Sequence, residues 1–379
     1  MTWGLYVHLP FCARKCVYCD FPVVLWKPGR PEAYAQLLQR EASLLASSLD
    51  LKGPPATLYF GGGTPSTTPP SVLKDLLRHL GNLFGPFSDA MEITLEVNPE
   101  GVTEEDLLAW RAMGINRVSV GVQTSCEETL RLLGRRHTRD QVERLLTRLP
   151  GIFPTWNVDL IYGLPGEDLS SWKETLSWAL SFGPPHLSAY SLQVEERTPL
   201  WHWVQTKKVV LPPEEEVADM MAYVREYLPA FGLFPYEISN FARPGHESRH
   251  NLLYWRNENY LGLGLGAHSH VEGIRWANVD HLGRYRELLL KGLSPVDPWS
   301  VIPFDRRRSL SDGLIMGLRL AEGVDLLALK ERYGEDPREI YGKAFASLEQ
   351  KGLLALEGTR VKLTPKGVLL GNLVFQEFL

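Results

Sequence analysis

Cysteine is scarce in this chain: four in 379 residues, three of them at positions 12, 16 and 19. So few, so unevenly placed, build no disulfide framework. No apolar run is long enough to cross a bilayer as a helix. Residues 1–8 lack the charged-then-apolar layout of a secretory leader, so a reducing cytoplasm is the expected compartment. Strong charge is missing as well. The formal net charge is -5, and no lysine- or arginine-rich run stands out beyond Arg306, Arg307 and Arg308. Neither nucleic acid nor an anionic membrane is therefore expected as the main partner. There are no low-complexity segments and no internal repeats. What the chain does have is apolar residues, 44% of the total, ample for one large core and a smaller domain.

The first 240 residues alternate short β-like runs with helical periodicity. Strands are expected at 5–9, 57–60, 93–97, 117–122, 157–162 and 187–192. Helices are expected at 31–49, 71–83, 104–113, 171–182 and 214–231, with a further helical stretch, broken near Gly134, running to about 149. Thr103 with Asp106 three residues on marks a helix start. Six strand–helix units in succession predict an α/β fold with a parallel sheet and helices outside. Right-handed crossovers would curl it into a partial (β/α)6 barrel; a flat doubly wound sheet is the alternative.

Prolines 295, 298 and 303 punctuate the next boundary. The expected organisation is a barrel over 1–240 with a cysteine loop at 11–22, an extension over 241–300, and a small C-terminal helical, winged-helix-like domain over 301–379. That last domain reads as helices at 309–320, 326–333 and 337–350, then a hairpin turning at Gly358 and Thr359. Its basic residues are scattered, so docking rather than DNA binding is expected.

Chemistry gathers where barrel strands end. The first strand ends at C-x-x-x-C-x-x-C, formed by Cys12, Cys16 and Cys19. A cubane iron–sulfur cluster usually takes four cysteines, so three would leave one iron open for a small molecule. A closed zinc site is the alternative, and it would need a fourth ligand such as His8, because Cys126 lies far downstream. The second strand ends in Gly61-Gly62-Gly63-Thr64-Pro65. Without Cβ atoms this backbone can approach a ligand closely. A phosphate loop would need a lysine that is absent, and a plain turn remains a third reading. Glu96 next to Asn98-Pro99, Gln123, Arg135, and Asp159 ahead of Gly163-Leu164-Pro165-Gly166 fall on the same rim. Buried carboxylates need partners. Glu96 and Asp159 either face a ligand or hold an arginine such as Arg117 or Arg135.

Taken together, these motifs resemble the radical S-adenosylmethionine superfamily. Tyr6-Val7-His8-Leu9-Pro10-Phe11-Cys12, the three cysteines, the glycine run, Glu96-Val97-Asn98-Pro99, Gly121-Val122-Gln123 and Asn157 through Gly166 carry the likeness over nearly the whole chain. More narrowly they resemble its coproporphyrinogen-dehydrogenase-like branch, associated with porphyrin biosynthesis. The resemblance implies a [4Fe–4S] cluster on Cys12, Cys16 and Cys19, with S-adenosylmethionine chelating the open iron and cleaved by one electron. It puts Tyr6, Gly62, Gly63, Thr64 and Glu96 around that ligand, with Gln123, Arg135 and Asp159 lining the cleft. Tyr18 would lie beside the cluster. The 262–269 segment resembles the branch's closing loop, with His268 facing the cofactor.

Two members of the branch remain to be separated. The dehydrogenase has a further cysteine where this chain has Phe21, and a longer segment before the cluster than the eleven residues preceding Cys12. Both departures point away from propionate decarboxylation. His250-Asn251-Leu252-Leu253-Tyr254-Trp255 resembles instead the H-N-x-x-Y-W motif of the HemW-type heme chaperones. That likeness implies heme as cargo, heme-accepting respiratory proteins as partners, transient contact with membrane proteins and a possible oligomer. His250 would be the iron ligand, with Tyr254 and Trp255 flanking the macrocycle. A merely packing or capping His250 stays open.

Overall fold

Residues 2–379 are described by a computed structural model. Six strands follow one another in sequence and lie side by side, parallel, in space. They are β1 Trp3–Leu9, β2 Thr57–Gly62, β3 Glu92–Val97, β4 Arg117–Gln123, β5 Thr155–Tyr162 and β6 His186–Ser191. Their near-continuous apolar runs suit a sheet covered on both faces; every residue of β1 except Tyr6 is buried.

Helices α1 Arg30–Ser48, α2 Pro70–Phe84, α3 Glu104–Ala112, α4 Glu127–Leu132, α5 Arg139–Arg148 and α6 Leu169–Leu180 fill the connections. The helix start read at Thr103 is present as a reciprocal cap. Its hydroxyl accepts the Asp106 N–H at 3.2 Å, and the Asp106 carboxylate accepts the Thr103 N–H at 2.9 Å. α7 Pro199–Gln205 and α8 Glu214–Tyr227 follow β6. The helix expected to reach residue 231 leaves α-geometry after Tyr227. The chain continues as a 3-10 turn, Leu228–Phe231, because Pro229 has no N–H to give.

The sheet then grows at both edges. β7 Phe234–Pro235 and β8 Asn240–Ala242 extend it antiparallel beyond β6. On the other side β9 Asn259–Leu263 lies parallel to β1, followed by antiparallel β10 His268–Val271 and β11 Ile274–Ala277. The eleven strands run β11-β10-β9-β1-β2-β3-β4-β5-β6-β8-β7, and the two ends do not meet. The barrel is therefore partial, as expected. The periodicity expects six parallel strands, and β9 is a seventh. Gly262 and Gly264 disguise it as loop. At Gly262 the glycine is required, since a Cβ would collide with the His268 carbonyl.

One apolar core fills the barrel and its helical coat. After α9 Arg249–Trp255 and α10 Leu282–Leu290, a second, separate core joins α11 Arg306–Leu318, α12 Leu326–Tyr333 and α13 Pro337–Gln350, reaching to Phe378. A small sheet of Val324–Asp325, Arg360–Leu363 and Leu354–Glu357 completes this helical, winged-helix-like unit.

Candidate functional site

Beyond β1 the chain makes a two-residue strand, Phe11–Cys12, that pairs with Val24–Leu25 and so closes the cysteine loop on itself. Three fasteners hold that loop. The Gly63 and Thr64 N–H groups donate to Leu9 and Phe11 carbonyls at 2.9 and 2.8 Å. Val17 N–H donates to Leu133 at 3.1 Å, and its carbonyl accepts from Leu200 at 3.0 Å. The Thr64 hydroxyl sits 3.4 Å from Cys12 Sγ. A Cβ on Gly63 would lie 2.6 Å from the Pro10 carbonyl carbon, so only glycine permits this approach.

Cys12 is buried and Cys16 and Cys19 are half-buried, and all three line one cavity of about 780 Å³. Burial pushes the Cys12 thiol up and the Cys19 thiol up to about 11, and the neighbouring thiols add to both shifts. A metal binding here must displace protons. Among the described residues no three His, Cys, Asp or Glu side chains are arranged to hold a single ion. A multi-iron core sets its thiolate ligands wider apart than one ion does. The thiolate-only donor set and the roomy cavity beside it fit such a core.

The ends of β2 to β5 supply the rest. Glu96 accepts the Tyr59 hydroxyl at 2.9 Å and the Gly62 N–H at 3.1 Å. Burial pushes its carboxyl up to about 7 despite those donors. Asp159 accepts Ser119 at 2.9 Å and Asn157 at 2.6 Å, and burial raises it too. Both acids take their hydrogen bonds from neutral donors, while the charge of Arg117 acts on each from further off. Arg135 donates to the Gly121 carbonyl and reaches to 4.0 Å from Cys16 Sγ, while its Nε is buried without a partner. Gln123 sits at a bulge where the β4–β5 register shifts, with φ 72°. That left-handed backbone is strained for glutamine, and it aims the side chain at the cavity.

Of the residues read from sequence, the cavity gathers Cys12, Cys16, Tyr18, Cys19, Gly62, Gly63, Thr64, Glu96, Gln123, Arg135 and Asp159. Tyr6 lies outside the lining. Its hydroxyl turns to His8 Nδ1 at 3.1 Å, and its ring packs beneath Gly61. His268 is exposed on β10 and also falls outside. Sequence reasoning misses Tyr59, Ser119, Asn157, Ser188 and Tyr190, which line the same space. The signal was present: Ser119 with Gly121 and Gln123, Asn157 with Asp159, and Ser188 with Tyr190 recur at the two-residue period of one strand face.

The H-N-L-L-Y-W segment forms α9, Arg249–Trp255. Glu92 anchors its first turn by accepting the Arg249 and His250 N–H groups, both at 3.0 Å. His250 and Tyr254 share a face, as their spacing implies. The imidazole is 1% exposed, and both of its nitrogens are engaged. Nδ1 is 2.7 Å from the Thr57 hydroxyl, and Nε2 is 2.8 Å from the Tyr254 hydroxyl. Its ring stacks on Tyr59 at 5.1 Å, and burial lowers it to about 3, which keeps it neutral. The Arg319 guanidinium lies 4.4 Å above the Trp255 ring. None of His250, Tyr254 and Trp255 lines the cavity; Asn251 does.

The sequence pattern of the Radical SAM superfamily matches residues 6–179, and that of the HemN C-terminal domain matches residues 305–370. Heme chaperone HemW of Bacillus subtilis is 35% identical over 378 residues, covering 99% of this chain and 98% of that one. Heme chaperone HemW of Synechocystis is 37% identical over 334 residues, covering 86% and 79%. The chain belongs to the HemW family of radical SAM proteins. Among solved structures, coproporphyrinogen III oxidase (HemN) from Escherichia coli superposes with a TM-score of 0.85 at 25% identity, covering 100% of this chain and 90% of that one.

In this HemW-family chain the glycine-rich 262–266 segment is tied to the barrel from behind. Glu41 on α1, fully buried, accepts the Gly264 N–H at 2.8 Å and the hydroxyl of Tyr285 and the amide of Asn278 at 2.5 Å each. Tyr34 accepts the Leu265 N–H at 2.7 Å and donates to the His8 carbonyl at 3.1 Å. On its outer side, a Cβ at Gly266 would lie 2.8 Å from Pro22 Cγ, so the segment buttresses the cysteine loop.

Proposed function

We propose that this protein is a heme chaperone that carries heme as cargo to acceptor proteins, with a [4Fe–4S] cluster on Cys12, Cys16 and Cys19 and S-adenosylmethionine in the adjoining cavity. One observation carries the reading: the three cysteine side chains open onto the same cavity as Glu96, Gln123, Arg135 and Asp159. Bound there, the cluster supplies one electron and one open iron position for the amino and carboxylate groups of S-adenosylmethionine. The chain does the positioning. Gly62 and Gly63 keep side chains off the ligand, and Glu96 and Asp159 present acceptor oxygens to its hydroxyl and amino groups. Arg135 offsets the negative charge that three thiolates bring. Tyr18, which lines the cavity with the three cysteines, would lie beside the cluster. Tyr6 and His268 reach the ligand only if their side chains swing from the positions seen here.

His250 is the candidate iron ligand for heme, with Tyr254 and Trp255 against the macrocycle. Its imidazole is neutral, as ligation requires, but Nε2 must first release the Tyr254 hydroxyl. No helix among the described residues is long and apolar enough to cross a membrane. In this reading, delivery to respiratory membrane proteins proceeds by docking, as monomer or oligomer. The test is anaerobic reconstitution followed by hemin titration. A brown protein absorbing near 400 nm, and then a saturable Soret band, are expected. Absence of any saturable hemin binding would end the chaperone reading; failure to assemble iron and sulfide would end the cluster reading.

A second reading is oxidative decarboxylation of coproporphyrinogen III, favoured by the likeness to HemN over the full chain. Phe21, half-exposed at the cavity's edge where that dehydrogenase has a cysteine, disfavours it. Anaerobic turnover with dithionite and S-adenosylmethionine should yield no protoporphyrinogen.

A further inference from the structure

Arg117 opens β4 and is 2% exposed, yet it lines the cavity rather than the protein's outer surface. It lies one layer deeper than Glu96, which is level with Ser119 in the β3–β4 register, while Arg117 is level with Thr94. Its Nε is buried without a hydrogen-bond partner. The acids around it are committed elsewhere: Glu96 to Tyr59 and Gly62, Asp159 to Ser119 and Asn157. Its charge acts at a distance on both acids and on two neutral histidines, His186 and His250, but none of these side chains makes a hydrogen bond to it. A guanidinium buried with no carboxylate bonded directly to its fork is costly, and that planar fork is shaped for one. Ser188 and Tyr190 line the same space on β6, and they are polar and level with Asp159 and Ile161 on β5.

We propose that Arg117 forms a carboxylate-binding subsite at the bottom of the cavity, separate from the cysteine rim, that takes an acid group of the bound ligand. The shared chemistry is a carboxylate on a flexible stem. It has two sources here: a propionate of the tetrapyrrole cargo, which rests on the heme-chaperone reading, or the amino-acid end of an S-adenosylmethionine molecule other than the one at the open iron, which does not. An acid seated there would neutralise the floor charge and fix the depth to which the ligand enters.

The experiment uses the full chain and two variants, Arg117→Met and Arg117→Lys, the second keeping the charge but losing the fork. Equilibrium binding is measured with hemin, with hemin dimethyl ester and with S-adenosylmethionine, alongside thermal unfolding of the ligand-free proteins. Arg117→Met should still fold, because Glu96 and Asp159 keep their neutral hydrogen-bond donors when the charge is gone, and Arg117→Lys should bind with intermediate strength. Hemin binding weakened about ten- to hundredfold in Arg117→Met, with the diester unaffected, supports a propionate at Arg117. The same loss for S-adenosylmethionine alone supports the subsite with the other source, even if wild type binds no hemin and the chaperone reading has failed. Undiminished binding of both ligands by the variants overturns the proposal. Failure of both variants to fold also overturns it, since the guanidinium would then serve the fold itself; if only Arg117→Met fails, Arg117→Lys decides.

Discussion

The Nε2 atom of His250 lies 2.8 Å from the hydroxyl of Tyr254, one helical turn away, and on its other side Nδ1 meets Thr57 at 2.7 Å. A ring so held cannot reach iron without losing one of these bonds. Tyr254→Phe removes the competitor for Nε2 and keeps the aromatic surface. It should strengthen hemin binding by a fewfold to about tenfold, the worth of one neutral hydrogen bond. His250→Ala should abolish the saturable Soret change. If Tyr254→Phe instead loses heme, the phenol oxygen and not the imidazole is the iron ligand, and the assignment of His250 falls.

Serine in place of Cys12, Cys16 or Cys19 preserves size but replaces a soft thiolate with a poor iron ligand. Each variant should lose most of its bound iron and sulfide after anaerobic reconstitution. Thr64 donates to Cys12 Sγ and so stabilises its thiolate; Thr64→Val should retain the cluster but bind it less tightly. Full iron content in any single cysteine variant would show that the loop does not hold a three-thiolate centre.

Much of this was legible in advance, and the exceptions have physical causes. The six parallel strands read clearly because each is an apolar run that ends at glycine, proline or a polar residue. The cysteine loop, the glycine run, Glu96, Gln123 and Asp159 read clearly because function breaks the apolar pattern at strand ends. β9 did not, because Gly262 and Gly264 erase the β signal; what makes them necessary is the close approach of the His268 carbonyl and of the β1 backbone at His8, which one sequence does not display. Tyr6 and His250 were visible as residues, but not their orientation. Tyr6 turns to His8, and His250 is enclosed by Thr57, Tyr59 and Tyr254, none of which is near it in sequence save the last. Arg117 reads in the sequence as a counterion for the acids; in the structure its charge reaches both, but their hydrogen bonds go to neutral donors, which only the three-dimensional packing reveals.

Gly62 and Gly63 make separable predictions. A Cβ on Gly62 would press 2.5 Å from the His8 ring, a side chain, and would also have to adopt φ 113°. A Cβ on Gly63 would meet the Pro10 backbone at 2.6 Å. Backbone cannot yield without moving the segment that leads to Cys12. Gly63→Ala should therefore cost at least ~2 kcal/mol in urea unfolding and also lower iron content, through displacement of the loop. Gly62→Ala should destabilise through backbone strain, and it should weaken the Gly62 N–H bond to Glu96. Normal stability and cluster content in Gly63→Ala would show that the glycine run is an ordinary turn.

Glu41 offers a pH dependence of unusual sign. Burial pushes its carboxyl from the ordinary 4.5 up to about 7, against the pull of Tyr285, Gly264 and Asn278. Below about pH 4.5 the group is protonated in both folded and unfolded chains and contributes no slope. Between there and about pH 7 the unfolded chain releases its proton while the folded protein keeps it, so stability falls as pH rises. Above that range the loss is complete and level, at most on the order of 3 kcal/mol. Glu96 and Glu167, also pushed up to about 7 by burial, act in the same direction, so one substitution removes only a share of the slope. Glu41→Gln keeps an acceptor for Gly264 and Tyr285 but cannot ionise. In the metal-free protein, urea midpoints measured from about pH 5 to about pH 8 should decline less steeply for Glu41→Gln than for wild type. Parallel declines would mean that the three donors win over burial and that Glu41 is already ionised as it ties the glycine segment to the barrel.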